Sequence, residues 1–272
     1  MQNLKDLERA SVFRDSGSLK EAYDIYVSVA EQADNALEKA ETLLSAVSVL
    51  VELGDAQTAR SQLKMIDTLL DLSWRTVDSE NHTKQLRVSL ARELLEIMVS
   101  PLEGKRQEAV AAYEQFLEKH EEELQKPEFE DLGQTAKGER AILLADDGMF
   151  KQALPIFEEL ALKDQSNPVV NFYLGYCYIS VAEYNQAKRL LQQSIKQGLP
   201  SHLEFRAHSA LGMALYQSGD YLQAKLELER GLKAANPRYV KEAQLYKWLH
   251  HTCKSLGLKQ EAEYYGKFMR PC

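Results

Sequence analysis

The chain has 272 residues, long enough for a sizeable core or a long solenoid. Charged residues make up 27% and the hydrophobic class 44%, ordinary for a globular chain, while only 13 Gly and 7 Pro argue against a many-turned β fold. The net charge of −8 is uneven: residues 1–133 hold 15 Lys and Arg against 27 Asp and Glu, residues 134–272 hold 18 against 14, which disfavours broad binding to phosphate backbones and leaves the second half able to steer an acidic segment.

Read in order, the N-terminus from Met1 to Asp6 has no basic region followed by an apolar block. No later apolar run approaches the roughly 20 residues that span a bilayer. The default expectation is a cytoplasmic protein without membrane insertion. A helix–turn–helix pattern then recurs: a turn residue, an Ala five residues on, and an aromatic or Leu four further. It appears as Gly17, Ala22, Tyr26, then Gly54, Ala59, Leu63, and Gly104, Ala109, Tyr113. It continues as Gly148, Ala153, Phe157, then Ala182, Ala187, Leu191, and Gly219, Ala224, Leu228, and ends as Gly257, Ala262, Gly266. Successive turns lie 37, 50, 44, 34, 37 and 38 residues apart. Glycine at the turn takes positive φ and stops the first helix. Asp55 and Asp220 are placed to cap the second. The Ala lets two helices approach, and the bulky residue one turn later fills the groove. One such hairpin cannot bury its apolar face, but a stack can.

Two insertions break the period. The first, around Ser73 to Gln85, contains Trp74 and the polar run Asp78 to His82, a loop between long helices. The second is the acidic stretch Glu118 to Asp131, in which Glu118 to Lys126 is expected to prolong a helix that Pro127 ends. Gly133 marks the softest boundary, between irregular hairpins (1–133) and more regular ones (134–272) of one continuous solenoid. The stretch from Pro168 to Leu199 shows the unit best, with helices expected over Val169 to Ser180 and Tyr184 to Lys196 and Gly175 and Ala187 at their crossing.

Chemistry is scarce. His250 and His251 point about 100° apart on a helix and cannot easily share a metal. His202 and His208 lack neighbouring ligands at metal spacing beyond Glu204. Glu121-Glu122-Glu123 reads as a solvated face, and Asp146-Asp147 before Gly148 as turn capping. Cys177 and Cys253 sit on apolar faces as small core residues, and no CxxC pair occurs. No nucleotide, hydrolase or metalloprotease motif is present, so no cofactor, no metal and no catalytic residue is expected.

The repeat residues resemble the tetratricopeptide repeat. Leu174-Gly175 and Leu211-Gly212 match the family's first-helix Leu-Gly, Tyr178 its first-helix aromatic, and Ala187 and Ala224 its second-helix Ala. Gly219-Asp220-Tyr221 reproduces its turn, and Asn167-Pro168 and Asn236-Pro237 its break between repeats. The family's first-helix Trp is replaced by Asn171, His208 and Tyr246. Before residue 134 the match weakens: Ala10, Val47 and Ile97 stand where the family has Gly, and Pro101 shortens a first helix.

The resemblance implies an all-α fold, a right-handed superhelix of about seven helix pairs, and a non-enzymatic adaptor that holds a partner in its concave groove. Carried onto the last three pairs, the family's inner wall falls on Val169, Phe172, Tyr176 and Ile179, then Arg206, Ser209, Met213 and Tyr216, then Gln244, Lys247, His251 and Lys254. An apolar anchor on a Phe172–Tyr176 shelf and acidic groups near Lys247 and Lys254 would identify the partner. The alternative reading assigns these aromatic residues to the core. The carboxylate clamp of some family members is not reproduced at Phe172, Tyr176, Ala210 and Arg206. A second hypothesis concerns the C-terminus, where Tyr264, Tyr265, Phe268 and Met269 cluster with no later helix to cover them, a patch for a twin subunit or a partner. The runner-up function is a structural subunit using its convex face and ends; an enzyme is the third class.

Overall fold

The computed structural model describes residues 2–74, 81–234 and 242–269. Among these residues there is no strand, and fifteen α-helices follow one another. Two compact units divide the chain, Met1–Leu143 and Leu144–Cys272. The first holds α1 (Gln2–Asp15), α2 (Leu19–Glu31), α3 (Ala36–Leu53), α4 (Ala56–Trp74), α5 (His82–Val99), α6 (Arg106–Lys119) and α7 (Glu121–Leu124). Helix α8 (Glu130–Asp146) runs through the boundary. The second unit continues with α9 (Phe150–Lys163), α10 (Pro168–Ser180), α11 (Tyr184–Gln197), α12 (Ser201–Gln217), α13 (Tyr221–Ala234), α14 (Glu242–Ser255) and α15 (Lys259–Gly266).

All seven turns read from the sequence close in the same way. Gly17, Gly54, Gly104, Gly148, Ala182, Gly219 and Gly257 adopt positive φ, between 63° and 83°. The residue after each donates its N–H to the carbonyl five residues back, as in Asp55 to Leu50 (2.9 Å) and Asp220 to Leu215 (3.0 Å). This satisfies carbonyls that the helix end would leave bare. Ala182 is the one non-glycine with positive φ among the described residues. The caps form as expected: the carboxylate of Asp55 accepts from the Thr58 N–H (3.0 Å) and that of Asp220 from Gln223 (3.3 Å). Asn167 caps α10 with Pro168 in its first turn.

The packing residues go where the pattern puts them. The seven alanines are at most 4% exposed, and Tyr26, Leu63, Tyr113, Phe157, Leu191 and Leu228 at most 7%. A Cβ on Gly175 would stand 2.9 Å from the Leu191 γ-carbon, and one on Gly212 only 2.5 Å from that of Leu228. In the last pair the sizes are exchanged. His250 occupies the crossing position, its Nδ1–H donates to the Ala262 carbonyl (2.7 Å), and Gly266 leaves room for the ring.

The places without a first-helix Trp are filled differently. Asn171 is buried and donates to the Gln165 carbonyl (2.9 Å) and to Gln197 (3.1 Å). His208 is buried against the Glu227 carboxylate (2.7 Å). Tyr246 stacks on Phe268, with ring centroids 4.9 Å apart.

Two details differ from expectation. The acidic stretch does not prolong α6. That helix stops at Lys119, and His120 leaves helical geometry before the single turn of α7. At the break the His120 ring packs on Phe116 and bonds Glu93 of α5 (2.9 Å), which gives the chain a lateral anchor where the helix stops. Of the polar run Asp78 to His82, read as a loop, His82 belongs to α5, while α4 keeps Ser73 and Trp74 of the insertion. Asp78 to Glu80, Asn236-Pro237 and Cys272 lie outside the described residues.

Candidate functional site

The first helices α10, α12 and α14 of the second unit are neighbours, and α11, α13 and α15 pack behind them. Helical geometry therefore turns a defined side of each toward the front. On α14 the buried side is Leu245, Leu249 and Cys253. Lys247, His251 and Lys254 stand opposite it, the two lysines exposed and the imidazole half-buried. Burial, the His250 ring, Lys247 and Lys254 together push the His251 imidazole below its ordinary pKa. Lys247 and Lys254 thus share one face with this imidazole and repel a further positive charge on it.

On α12, Met213 and Tyr216 are half-buried. Tyr216 meets Trp248 of α14 edge to face, with centroids 5.4 Å apart, which ties the two first helices together. On α10, Tyr176 and Ile179 are half-buried. Tyr176 stacks above Phe172 (6.2 Å) and meets Phe150 of α9 edge to face (5.4 Å).

Phe172 itself corrects the expectation of an open shelf. It is 1% exposed, because Tyr173 crowds one edge (4.7 Å) and the Arg206 guanidinium lies 5.4 Å over its ring. It is the floor of the face and cannot be touched by a partner. Arg206 is not a free cation either: it donates to the Tyr173 hydroxyl (3.1 Å) and to the Asp146 carboxylate (2.6 Å). Burial alone would lower its pKa, but Tyr173 and Asp146 outweigh it and hold the guanidinium charged. Asp146 reaches Arg206 besides ending α8, a role that capping the turn at Gly148 does not describe.

At the C-terminal patch, Tyr264 and Phe268 are 55% and 43% exposed, Met269 is half-buried, and Tyr265 is buried. The Tyr265 hydroxyl donates to Glu229 of α13 (3.1 Å), so this ring belongs to the core and only its neighbours offer surface.

Four residues of the site escaped the sequence pattern: Asp146, Phe150, Tyr173 and Trp248. Trp248 and Tyr173 sit one position beside assigned wall residues, so an offset face would have found them; Asp146 carried no such signal. Among the described residues no group of three His, Cys, Asp or Glu could hold a metal ion. No described helix is long and apolar enough to cross a membrane. In the first unit a shallow cavity of about 390 Å³ between α4 and α5 is lined by Asp67, Trp74, Arg92 and Glu93. Three of its charges are engaged: Arg92 pairs with Asp67 (2.6 Å), and Glu93 with Lys119 and His120.

Residues 144–202 match the family model described as tetratricopeptide repeat, which bears out the resemblance read from Gly148, Ala153 and Leu174-Gly175. No curated protein matches the sequence. Among solved structures, the chain is similar to a signal transduction ATPase with numerous domains and a tetratricopeptide repeat sensor from Pyrococcus horikoshii. The TM-score is 0.63 at 13% identity, over 97% of this chain and 40% of that one. It is also similar to a putative kinesin light chain with tetratricopeptide-like repeats from Podospora anserina, with a TM-score of 0.50 at 18% identity over 67% of this chain and 93% of that one. A tetratricopeptide repeat protein from Parabacteroides merdae gives 0.49 at 13% identity, over 98% and 97% of the two chains. At such identities the first two likenesses show the fold alone, an all-α array of helical repeats.

Proposed function

We propose that this chain, whose residues 144–202 match the tetratricopeptide repeat family, is a non-enzymatic cytoplasmic adaptor. The front of α10, α12 and α14 receives an acidic, partly apolar segment of a protein partner in a concave groove. The observation that carries the reading is the pair of exposed cations Lys247 and Lys254, with the His251 imidazole beside them, presented opposite the buried side of α14. Beside it the half-buried rings of Tyr216 and Tyr176 offer rigid amphipathic surface, the type that dominates binding energy. Function here is presentation: a surface fixed by helix packing sets the position and orientation of what it holds.

The test is a pull-down from cell extract with wild type beside Lys247→Glu/Lys254→Glu and Tyr176→Ala. Phe172 is left alone because its substitution would damage the core. Loss of the same prey in both variants, with unchanged melting, supports the groove. Prey retained by both removes it.

Exposed Tyr264 and Phe268 favour a second reading, a structural subunit that pairs through the outer side of α15. Light scattering decides it. A wild-type dimer that becomes monomeric in Tyr264→Glu/Phe268→Glu supports the subunit; a wild-type monomer ends it.

A further inference from the structure

Arg206 extends from α12 across the rings of α10 to the end of α8. Its guanidinium carbon lies 5.4 Å from the centroids of both Phe172 and Tyr173. Tyr173 is in turn fixed by stacking on Phe157 (5.4 Å, 4° between planes). The guanidinium is therefore held flat by groups that do not include Asp146: two rings and the Tyr173 hydroxyl. Such a plane offers its edges to carboxylates, the partner that its fork of N–H donors fits best. In the free chain the carboxylate found there is that of Asp146, and the two side chains remain 29% and 25% exposed. A part-exposed charge pair on a preorganised cation is exchangeable: an incoming carboxylate replaces like with like and keeps the guanidinium paired.

We propose that Asp146 is a place-holder on Arg206, and that a carboxylate of the partner segment exchanges with it while an adjacent apolar side chain packs on Tyr176. The inference rests on the adaptor reading and names the residue that reads the partner's acidic group. It also accounts for selectivity. A bare anion gains little by exchanging one carboxylate for another, so only a segment that also engages Tyr176 and the lysines of α14 is held.

The test uses the full chain, fluorescence anisotropy at low ionic strength, and labelled random Glu–Tyr copolymer as the acidic, aromatic probe. Asp146→Asn is expected to tighten binding by about tenfold, the effect of removing one charge-assisted competitor. Asp147→Asn removes the same charge one residue away and should change affinity by less than about twofold. Arg206→Gln should weaken binding, and adding Asp146→Asn to it should have no further effect, as a double-mutant cycle for a direct pair requires. Arg206→Lys, with thermal melts of every variant, guards against loss of fold. If the probe binds and depends on Lys247 and Lys254 but Asp146→Asn binds no tighter than wild type, the exchange is wrong and the adaptor reading stands. If neither wild type nor Asp146→Asn binds while both melt normally, both ideas fall.

Discussion

The two units solve the same crossing problem with different residues. Sixteen residues separate the first-helix crossing position from the bulky residue it meets, in pairs such as Val47 and Leu63, Gly175 and Leu191, or Gly212 and Leu228. In the second unit glycine lets the leucine press onto bare backbone. In the first unit Ala10 and Val47 are fully buried at that position, so side chains fill the crossing. The seventh pair inverts the arrangement, with His250 opposite Gly266. What is constant is the spacing of the two positions, and glycine marks only one way of filling the crossing. Close packing fits the surrounding helices to each pair, because interiors tolerate neither voids nor overlap.

The comparison breaks most visibly at the inverted pair. Gly266→Leu should cost about 3 kcal/mol by driving a side chain into the His250 ring. The double variant His250→Gly/Gly266→Leu should recover most of that loss, since it rebuilds the pair as in α12 and α13. Thermal unfolding measures both, and strict additivity would refute the volume exchange. Gly212→Ala should cost about 2 kcal/mol and Gly175→Ala less, in the order of their approaches of 2.5 and 2.9 Å. Equal stability of either variant and wild type would mean that the leucines move aside freely.

A smaller effect concerns the buried pair of α12 and α13. His208→Ala should cost about 1–2 kcal/mol by leaving Glu227 short of a partner. Burial pushes the Glu227 carboxyl up, but His208 and Arg230 outweigh it and hold it below the ordinary 4.5. A lowered folded pKa means stability that is present above 4.5 and lost as pH falls through the lower folded value. Acid titration of wild type should show that loss, and the variant less of it. The smallest effect has the opposite sign. Ala182→Gly should stabilise by up to about 1 kcal/mol by relieving a left-handed alanine, as the other six turns already do with glycine. A lower melting temperature would show that the strain is negligible beside chain entropy.

Much of the fold was legible because each turn demands one residue of one kind. Positive φ asks for Gly, close approach for Ala, a groove for Tyr, Phe or Leu, and spacing alone then orders the helices. That Lys247, His251 and Lys254 share a helix face was legible for a related reason, since their spacing alone puts them together. The rest needed distance. Asp146 meets Arg206 across 60 residues of sequence, and Phe172 is covered in part by that same Arg206, 34 residues away on another helix. The break at His120 likewise depends on Glu93 of another helix, which no local pattern announces.

The buried thiols give the array a built-in report on its own integrity. Burial raises Cys177 to about 12 and Cys253 to about 11, so both are inert while their surroundings stay shut. They belong to different hairpins, the fifth and the seventh. An alkylating reagent would therefore time the opening of each hairpin separately, and show whether the stack frays piece by piece or comes apart as one body.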